Sequence, residues 1–496
     1  MLVGKWVERW ARIRPDKIAL VSEENSYTYA QLSKRIDRLG GYLIKRNIEK
    51  GDRIGILSYN CPQYLEIYFA LARIAAIMVP LNYRLATREL EYILKDSGAS
   101  TLIFHEDFAE TVLSLAPQLK APPISIGEKS FKWADDYEAC IEGGTDNIST
   151  PWEISPEDPH LLMYTSGSTG LPKGAVLSYK KTFFNTLNAD IYYGLSPEDV
   201  MIITRPMFHS GGLLVQATPI LFKGGTAIIM PRTRALATLK AVETYKVTVL
   251  EAPAAVYNMM LGEDELARYD LTSIRVCYTG GERVQTGFLR EFHRRGLLLS
   301  QIFGQTETST LTWLNRQEAV RKAGSVGKPV FFGEIKIVNP EGKEVETEET
   351  GELVASGPIL MDGYWNRADL TAEVIKDGWL HTGDLVRRDE EGFIYIVDRL
   401  KNMFISGGEN IYPAEVEKVL LENDRIEDVA VYGVPDFKWG EAGRALIILK
   451  RGVTMTREEA ISFCEGKIAR YKIPKHVEFV KELPKTAAGK IMRHKL

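Results

Sequence analysis

A run of small hydroxylated residues stands out in the first half of the chain. The segment Tyr164-Thr-Ser-Gly-Ser-Thr-Gly-Leu-Pro-Lys-Gly174 holds six consecutive residues that are only Thr, Ser or Gly, followed by Lys173. Backbone N–H groups of such a run can curl around an anion, the hydroxyls add donors, and the lysine adds positive charge. Strand-like apolar residues flank the run on both sides, which favours a phosphate-binding loop over a flexible linker. The candidate anion-binding residues are Thr165, Ser166, Gly167, Ser168, Thr169, Gly170 and Lys173.

The P-loop of nucleoside triphosphatases is the sharpest alternative for this segment. Its pattern, GxxxxGK[ST], has a second glycine before the lysine and a metal-binding hydroxyl after it. Gly167 has the right distance to Lys173, but Pro172 and Gly174 stand where that glycine and that hydroxyl belong. No helix is predicted to begin at the lysine. The sequence therefore excludes a P-loop.

Further segments combine glycine, threonine and charged residues. They are Tyr278-Thr-Gly-Gly-Glu-Arg283, Phe303-Gly-Gln-Thr-Glu-Thr308, Gly378-Trp-Leu-His-Thr-Gly-Asp384, the stretch from Asp398 to Pro413, and Pro484-Lys-Thr-Ala-Ala-Gly-Lys490. Taken singly, each has an ordinary structural interpretation. Thr306-Glu-Thr308 could begin a helix, Asp384 could be a turn residue, Gly407-Gly408 could turn a hairpin, and Lys490 could be a solvated tail residue.

The elements that must position these segments alternate between helix and strand. Helical spacing of apolar residues covers Ala30–Ile48, Pro62–Ala76 and Ala86–Gly98, and strand patterns cover Asp52–Ser58 and Ser100–Phe104. Such alternation predicts parallel βαβ units. The segment Tyr278–Arg283 follows a strand-like run, and ligands of parallel α/β sheets gather at strand carboxyl ends.

The second half of the chain changes character after about Gly324. Short strands separated by turns predict a small β-rich subdomain, and a new α/β unit begins beyond Asp398. The predicted elements of these parts are strands at Glu334–Val338, Glu352–Ser356 and Phe393–Val397, then helix Pro413–Asn423, strands Asp428–Val434 and Ala445–Lys450, helix Arg457–Arg470 and strand His476–Val480. The predicted fold is α/β, with a large multi-subdomain N-terminal domain over 1–398 and a small mobile α+β domain over 399–496.

Composition narrows the class of protein. The chain has 496 residues, of which 45% are hydrophobic and 26% charged, which is ordinary for a globular protein and too long for one average domain. A net charge of −4 argues against a nucleic-acid partner. Four scattered Cys without a CxxC pair and seven dispersed His predict neither disulfides nor a zinc cluster, and favour a cytoplasmic location.

The N-terminal segment is not a signal peptide, because charges interrupt its apolar residues. Trp6, Trp10 and Ile13 share one helical face and predict a helix that packs on the core. The longest apolar stretch, Tyr64–Leu81, contains Glu66 and Arg73 and is not predicted to span a membrane. The sequence leaves peripheral membrane contact and a homodimer open.

The loop and the motifs after it, in this order, resemble those of the adenylate-forming enzymes: acyl-CoA synthetases, firefly luciferases and peptide-synthetase adenylation domains. The resemblance covers essentially the whole chain. It implies that ATP and CoA are co-substrates, that Mg²⁺ is a cofactor, and that a carboxylic acid is first converted to an acyl-adenylate with release of pyrophosphate. CoA then forms the thioester after the small domain rotates. This two-step chemistry needs positioning and charge stabilisation rather than a side-chain nucleophile.

The resemblance assigns nucleotide roles to individual residues. Glu307 would hold Mg²⁺, an ion that prefers oxygen ligands, and Thr306 would contact the α-phosphate. Asp384 would accept hydrogen bonds from both ribose hydroxyls, Arg399 would contact ribose and phosphate, and Lys490 would reach the acid and the α-phosphate together. The other nucleotide-binding candidates are Gly281, Glu282, Arg283, Phe303 and Gly304; many members of the family have Ala-Pro where this chain has Glu282-Arg283.

The resemblance also assigns a hinge, a thiol path and an acyl pocket. Lys401 occupies the hinge position, and Ser406, Gly407 and Gly408 would line the path of the CoA pantetheine, where glycine permits close approach. In the segment Pro206-Met-Phe-His-Ser-Gly-Gly212, His209 stands where amino-acid-activating relatives carry Asp, which argues against an amino-acid substrate. His209 would gate or orient the acyl group. Alternatively, His209 is a hydrogen-bonded core residue. The candidate pocket wall is His209, Leu213, Leu214, Val215, Ala252, Pro253, Ala254, Gly280 and Ile302.

This apolar, small-residue-rich wall favours a fatty acid of medium or longer chain as the substrate. An aromatic acid, including a succinylbenzoate-type acid, is the alternative substrate. A nucleotide-binding regulator that has lost catalysis is a second alternative function. The joint presence of Lys173, Glu307, Asp384, Arg399 and Lys490 argues against that regulator.

Overall fold

The computed structural model describes residues 2–23, 25–146, 148, 150–165, 171–232, 234–262, 268–281, 286–399, 404–484 and 496. The chain divides into two compact units. The first contains residues 1–83, 97–163 and 174–398, and the second contains 84–96, 164–173 and 399–496. The domain boundary predicted at residue 398 stays a prediction.

The helices of the described part follow one another along the whole chain. In chain order they are α1 Trp6–Ile13, α2 Tyr29–Lys45, α3 Pro62–Arg73, α4 Thr87–Ser97, α5 Ala109–Leu115, α6 Tyr137–Glu142, α7 Tyr179–Tyr193, α8 Thr218–Lys223, α9 Ala235–Tyr245, α10 Ala254–Gly262, α11 Thr286–Arg294, α12 Ala368–Val374, α13 Pro413–Leu421 and α14 Arg457–Cys464. Within the described ranges, no helix is both long and apolar enough to cross a membrane.

The strands alternate with these helices in the first half of the chain and dominate after residue 300. In chain order they are β1 Ile18–Val21, β2 Ser26–Thr28, β3 Arg53–Leu57, β4 Ile77–Pro80, β5 Thr101–His105, β6 Ile124–Ile126, β7 Asp135–Asp136, β8 Pro159–Thr165, β9 Lys173–Ser178, β10 Val200–Ile203, β11 Thr226–Ile229, β12 Val249–Glu251, β13 Val276–Gly280, β14 Leu299–Gln305, β15 Ser309–Trp313, β16 Lys328–Pro329, β17 Glu334–Val338, β18 Gly351–Ser356, β19 Gly363–Tyr364, β20 Ile375–Lys376, β21 Trp379–Arg388, β22 Ile394–Arg399, β23 Phe404–Ser406, β24 Glu409–Ile411, β25 Ile426–Asp436, β26 Gly440–Leu449 and β27 His476–Phe479.

Two sheets of the first unit are mainly parallel. Among the described residues, one has the order β16-β15-β14-β13-β12-β10-β11-β1-β2. Neighbouring strands from β14 to β1 pair in parallel, whereas the pairs β14–β15, β15–β16 and β1–β2 are antiparallel. The other has the order β19-β9-β8-β4-β3-β5-β6-β7, with parallel pairing from β8 to β7. The α/β fold with parallel sheets in the large N-terminal part is therefore confirmed.

Two smaller sheets are mainly antiparallel. One, in the first unit, has the order β17-β18-β21-β20 with β22 beside β21, and it forms the β-rich subdomain predicted after Gly324. The other has the order β24-β23-β26-β25 with β27 parallel to β26, and it belongs to the second unit. Helices α13 and α14 share a buried apolar cluster with this last sheet, as the predicted small α+β domain requires.

Local sequence signals explain several helix ends. Thr28 and Gln31 form a capping box at the start of α2, and Thr456 and Glu459 form one at the start of α14. The sequence pattern predicts that α14 reaches Arg470, but the helix ends at Cys464. Gly466, with φ +73°, follows that end and favours termination.

The N-terminal helix packs on the core by two of its three predicted residues. Trp6 is buried, and Trp10 packs against the core and donates its ring N–H to the carbonyl oxygen of Phe222. Ile13 is 67% exposed, so its predicted place on the buried face is wrong. Ile13 is the last residue of α1, and the buried residues of this helix, Trp6 and Val7, lie in its first turn.

Candidate active site

The residues Thr306 and Glu307 lie in a tight turn between two strands. Strands β14 and β15 pair antiparallel, and the three-residue turn Thr306–Thr308 joins them; we call this element the glutamate hairpin. The Thr308 hydroxyl accepts a hydrogen bond from the Gln305 N–H at 3.1 Å, and the Thr308 N–H donates to the Gln305 carbonyl oxygen. The alternative that a helix begins at Thr306 is therefore wrong.

Glycine is required at position 304 by close approach of the two strands. A Cβ atom at Gly304 would lie 1.9 Å from the carbonyl oxygen of Ser309. Ser309 itself has φ +58°, a left-handed conformation that is unusual for a residue other than glycine. Such strain persists only where the surroundings hold it, so the closing residue of this turn is fixed by its neighbours.

Glu307 is held at both its main chain and its side chain. The Met361 N–H donates to the Glu307 carbonyl oxygen at 2.7 Å, and the Tyr364 hydroxyl donates to Glu307 Oε1 at 3.0 Å. The hydroxyls of Ser210 and Thr306 are 3.4 Å apart. The turn therefore presents a carboxylate and hydroxyl oxygens from a fixed backbone.

This donor set fits magnesium. Among the described residues there is no group of three or more His, Cys, Asp or Glu that could hold a metal by itself. Mg²⁺ is usually bound by one or two carboxylates together with substrate phosphates and water rather than by an all-protein cage. A single oriented glutamate beside a threonine hydroxyl is what such a shared site requires.

Asp384, on β21, is connected to the glutamate hairpin by one side chain. The Gln305 amide Nε2 donates to Asp384 Oδ2 at 2.5 Å and to the Thr382 carbonyl oxygen at 3.0 Å. The Thr382 hydroxyl accepts from the Asp384 N–H. Asp384 is only 1% exposed, so its carboxylate has a fixed direction. The predicted ribose ligand and the predicted metal ligand thus share Gln305, which the sequence did not single out.

An ion pair joins the carboxyl ends of three parallel strands. Arg205, after β10, contacts the Glu251 carboxylate through Nε and Nη2 at 2.9 and 2.7 Å, and Nη2 also donates to the Gly280 carbonyl oxygen at 2.7 Å. Glu251 ends β12 and is fully buried, and the Gln216 amide also donates to it. Arg205 and Glu251 stand next to predicted pocket residues, but their pairing has no local signal in the sequence.

The predicted acyl pocket residues lie on this strand-end region of the first unit. Gly280 pairs with Ile302, and a Cβ at Gly280 would lie 2.3 Å from the Ile302 carbonyl oxygen. The Ala252 N–H donates to the Tyr278 carbonyl oxygen at 3.1 Å. Leu213, Leu214, Ala252, Ala254 and Ile302 are buried, and Val215 and Pro253 are half-buried.

The segment that carries His209 continues into a π-helical turn over Gly211–Ala217, a type of distortion frequent at functional sites. His209 is exposed, with its ring centroid 4.3 Å from that of Phe208. The alternative that His209 is a core residue is therefore wrong. Gly281 follows β13 with φ +79°, and Phe303 is buried in β14.

Ser406, Gly407 and Gly408 form a second hairpin, in the second unit. Strands β23 and β24 pair antiparallel, with Ser406 opposite Glu409, and Gly407 and Gly408 turn the chain with φ +59° and +82°. We call this element the glycine hairpin. A Cβ at Gly407 would lie 2.9 Å from the Trp439 ring, whereas one at Gly408 would meet no atom of the described residues within 4 Å. The structural interpretation of the Gly-Gly pair is thus correct, and it leaves the role in the thiol path open.

Thr165 ends β8, and Lys173 begins β9, so the predicted strands on both sides of the anion-binding loop are present. The residues between them, Ser166, Gly167, Ser168, Thr169 and Gly170, lie outside the described residues, as do Glu282, Arg283, Lys401 and Lys490. Arg399 ends β22, and its side chain is not described. The roles predicted for these residues stay predictions.

Comparison with known families decides the relationship. Residues 7–365 match the model of the AMP-binding enzyme, and residues 415–490 match that of the AMP-binding enzyme C-terminal domain. The chain belongs to the AMP-binding enzyme family. The resemblance to the adenylate-forming enzymes is therefore confirmed.

Several members of the AMP-binding enzyme family are similar over almost their full length. A feruloyl-CoA synthase from an Amycolatopsis species is 39% identical over 494 residues, which cover 99% of this chain and 97% of the relative. An indoleacetate–CoA ligase from Aromatoleum aromaticum is 37% identical with the same coverage. The solved structure of o-succinylbenzoate CoA synthetase from Bacillus subtilis, a double mutant with a bound product analogue, has a TM-score of 0.90 at 30% identity and covers 99% of this chain and 97% of its own.

Proposed function

We propose that this chain is an AMP-forming acid–CoA ligase whose acid substrate carries an aromatic ring. The enzyme class follows from the family and from full-length relatives that are CoA ligases. ATP and CoA are then its co-substrates. The identity of the acid is our own proposal and goes further than the class.

The observation that carries the aromatic substrate is the Arg205–Glu251 pair. The Arg205 guanidinium donates to the Gly280 carbonyl oxygen, and a Cβ at Gly281 would lie 3.3 Å from Arg205 Nη1. A predicted wall of the acyl pocket therefore borders a flat, charged group. A guanidinium stacks on an aromatic face through cation–π attraction, which a long alkyl chain lacks.

The buried charges also limit the substrate. The Glu251 carboxylate already neutralises the charge of Arg205. A substrate with a second carboxylate would therefore find no uncompensated positive charge at this pair. Two of the named relatives are a feruloyl-CoA synthase and an indoleacetate–CoA ligase, which supports an aromatic monocarboxylic acid, and the third is an o-succinylbenzoate CoA synthetase. The medium- to long-chain fatty acid favoured by the sequence stays a prediction.

The proposed mechanism needs charge placement rather than a nucleophilic side chain. The acid carboxylate would attack the α-phosphorus of ATP, forming a C–O–P bond while the bond to pyrophosphate breaks. Thr306 would donate to the α-phosphate, Asp384 would accept from the ribose hydroxyls, and Lys490 would balance charge on the reacting oxygens. When bound at Glu307, Mg²⁺ would supply positive charge to the phosphates. Thiol attack on the adenylate carbonyl would then release AMP.

The test is an acid panel with ATP, Mg²⁺ and CoA, followed by pyrophosphate release and thioester formation. The panel contains ferulate, indoleacetate and 2-succinylbenzoate beside hexanoate, decanoate and palmitate. We expect kcat/KM for an aromatic monocarboxylate to exceed that of every straight-chain acid by about tenfold or more, on the scale set by one or two pocket contacts. A straight-chain acid with the highest kcat/KM would refute the aromatic substrate. Absence of pyrophosphate release with all acids would instead favour the inactive regulator.

A cytoplasmic location, a homodimer and peripheral membrane contact stay predictions.

A further inference from the structure

Lys181 is a buried lysine in an electrostatically unfavourable position. It lies in the first turn of α7, and its side chain is only 1% exposed. Removing an ammonium group from water costs free energy, and a helix N-terminus adds a repulsive positive partial charge. Burial accordingly lowers the pKa of Lys181 to about 7. A lysine kept under these conditions needs compensating partners.

Those partners are next to the glutamate hairpin. Lys181 Nζ donates a short hydrogen bond to the Ser309 hydroxyl, and the carboxylates of Glu307 and Asp362 favour the protonated form of the amine. Asp362 in turn accepts a hydrogen bond from the Ser178 hydroxyl, at the cap of the same helix. The Lys181 side chain is therefore bonded to the turn-closing serine and is affected electrostatically by two carboxylates.

Ser309 is the residue through which Lys181 can act on Glu307. It closes the turn Thr306–Thr308 and has φ +58°. A left-handed conformation is unfavourable for a residue other than glycine, so an external bond to its side chain helps to hold this conformation. The bond spans 128 positions of the chain and fixes the turn against helix α7.

A second residue of α7 extends the same attachment. Asn185, one helical turn after Lys181, accepts a hydrogen bond from the Thr310 N–H and donates to the Leu214 carbonyl oxygen at 2.8 Å. Ser309 and Thr310, which are consecutive residues of β15, thus form hydrogen bonds with successive turns of α7. Leu214 belongs to the predicted acyl pocket wall, so this face of α7 contacts both parts of the candidate site.

From this geometry we infer that Lys181 is a positioning residue for adenylate formation: the hydrogen bond from its side-chain nitrogen to Ser309 fixes the turn that presents Thr306 and Glu307. The inference rests on the proposed function for its consequence in catalysis. Its structural part, that Lys181 fixes the turn, does not depend on which acid is the substrate.

The first experiment compares Lys181→Met with Lys180→Met. Lys180 is the neighbouring lysine, which pairs with Glu157 at the surface and should contribute little there. We expect Lys181→Met to slow pyrophosphate release 10- to 100-fold, as for other residues that orient ligands of a metal site. Conversion of supplied acyl-adenylate to thioester, per titrated active site, should stay within about twofold of the unmodified enzyme. Lys180→Met should change neither step.

A uniform structural defect would give a different result. If Lys181→Met lowers both steps in proportion, or changes neither, the inference is wrong. Lys181→Gln provides a variant with no charge to bury and with a remaining hydrogen-bond donor, and it should recover part of the lost rate. A Lys181→Gln enzyme no faster than Lys181→Met would also contradict positioning through the Ser309 bond.

Hydrogen–deuterium exchange gives a readout that does not require activity. In Lys181→Met or Lys181→Gln, amides of residues 302–313 should exchange about tenfold faster, while those of the glycine hairpin, residues 404–411, stay unchanged. Unchanged exchange over 302–313 in both variants would overturn the inference even in an inactive protein. Loss of pyrophosphate release in the unmodified enzyme with every acid, together with the expected exchange result, would refute the proposed function alone.

Discussion

The glutamate hairpin of the first unit and the glycine hairpin of the second unit have opposite constructions. The glutamate hairpin is fixed by side chains from distant segments: Tyr364 holds the carboxylate, Lys181 holds Ser309, and Gln305 reaches Asp384. The glycine hairpin has a turn of two exposed glycines with positive φ, and within the described part of the chain no atom lies within 4 Å of a Cβ placed at Gly408. A group that must hold charge near phosphates needs a rigid support, whereas a path for a thin ligand needs room. The difference suggests that one hairpin serves the first half-reaction and the other the second.

The most severe test of this division is the loss of the carboxylate itself. Glu307→Gln keeps the shape of the turn but removes the charge that would hold Mg²⁺. We expect pyrophosphate release to fall on the order of 100-fold or more, as when one strong electrostatic contact is removed. Thioester formation from supplied acyl-adenylate should remain near normal. Equal loss of both half-reactions would show that the two hairpins do not divide the chemistry.

The two hairpins also differ in how closely other atoms approach their glycines. Gly304→Ala places a Cβ 1.9 Å from a backbone oxygen, so the strands must separate. We expect a destabilisation of about 1–3 kcal/mol, typical of overpacking, and adenylation slowed more than tenfold. Thermal unfolding and pyrophosphate release measure both effects. In the matched variant Gly408→Ala the added Cβ meets no described atom, so the free energy of unfolding should fall by only about 1 kcal/mol, because of the left-handed backbone. A larger destabilisation at Gly408 than at Gly304 would contradict the comparison.

A bulky residue in the glycine hairpin should affect the other half-reaction. Gly408→Leu fills the open space that the thiol would cross, and we expect thioester formation to slow about tenfold, equivalent to roughly 1.4 kcal/mol in the barrier. Pyrophosphate release should persist. Gly408→Ala separates the backbone effect from that of bulk. Normal thioester rates in Gly408→Leu would remove the glycine hairpin from the thiol path.

The smallest expected effect comes from one supporting hydroxyl. Tyr364→Phe removes the hydrogen bond to Glu307 Oε1 and leaves the ring in place. A net loss of about 1 kcal/mol for one such bond corresponds to roughly a fivefold higher Mg²⁺ concentration at half-maximal adenylation. Titration of pyrophosphate release with Mg²⁺ measures the shift. If the half-maximal concentration is unchanged, Tyr364 does not orient the metal ligand.

Local motifs made the elements of this fold predictable. Strand β17 occurs at Glu334–Val338 as its alternation predicts, and the strands on both sides of the Ser/Thr/Gly loop are in place. In these segments the apolar pattern and the turn residues agree, so a short window of sequence is sufficient. The helical pattern continues past Cys464 to Arg470, but Gly466 with φ +73° ends α14 earlier, so periodicity alone predicts too long a helix.

The supporting contacts of the site could not be predicted in this way. The Lys181–Ser309, Gln305–Asp384 and Arg205–Glu251 contacts join residues 128, 79 and 46 positions apart. Each depends on how separate strands and helices pack, and none has a periodic or motif signal. In the sequence, the buried Lys181 and the surface Lys180 are adjacent lysines of one helix. Only the tertiary structure distinguishes the buried charge from the solvated one.

Gln305 gives the nucleotide site a property beyond its individual contacts. Its amide bonds the ribose candidate Asp384, and its main chain begins the turn that carries the metal candidate Glu307. A ligand that displaced Gln305 at one end would therefore be expected to affect the other end. Linkage requires such coupling to be reciprocal: the factor by which adenosine binding changes magnesium affinity equals the factor by which magnesium changes adenosine affinity. One amide side chain would thus make recognition of the sugar and recognition of the metal a single cooperative event.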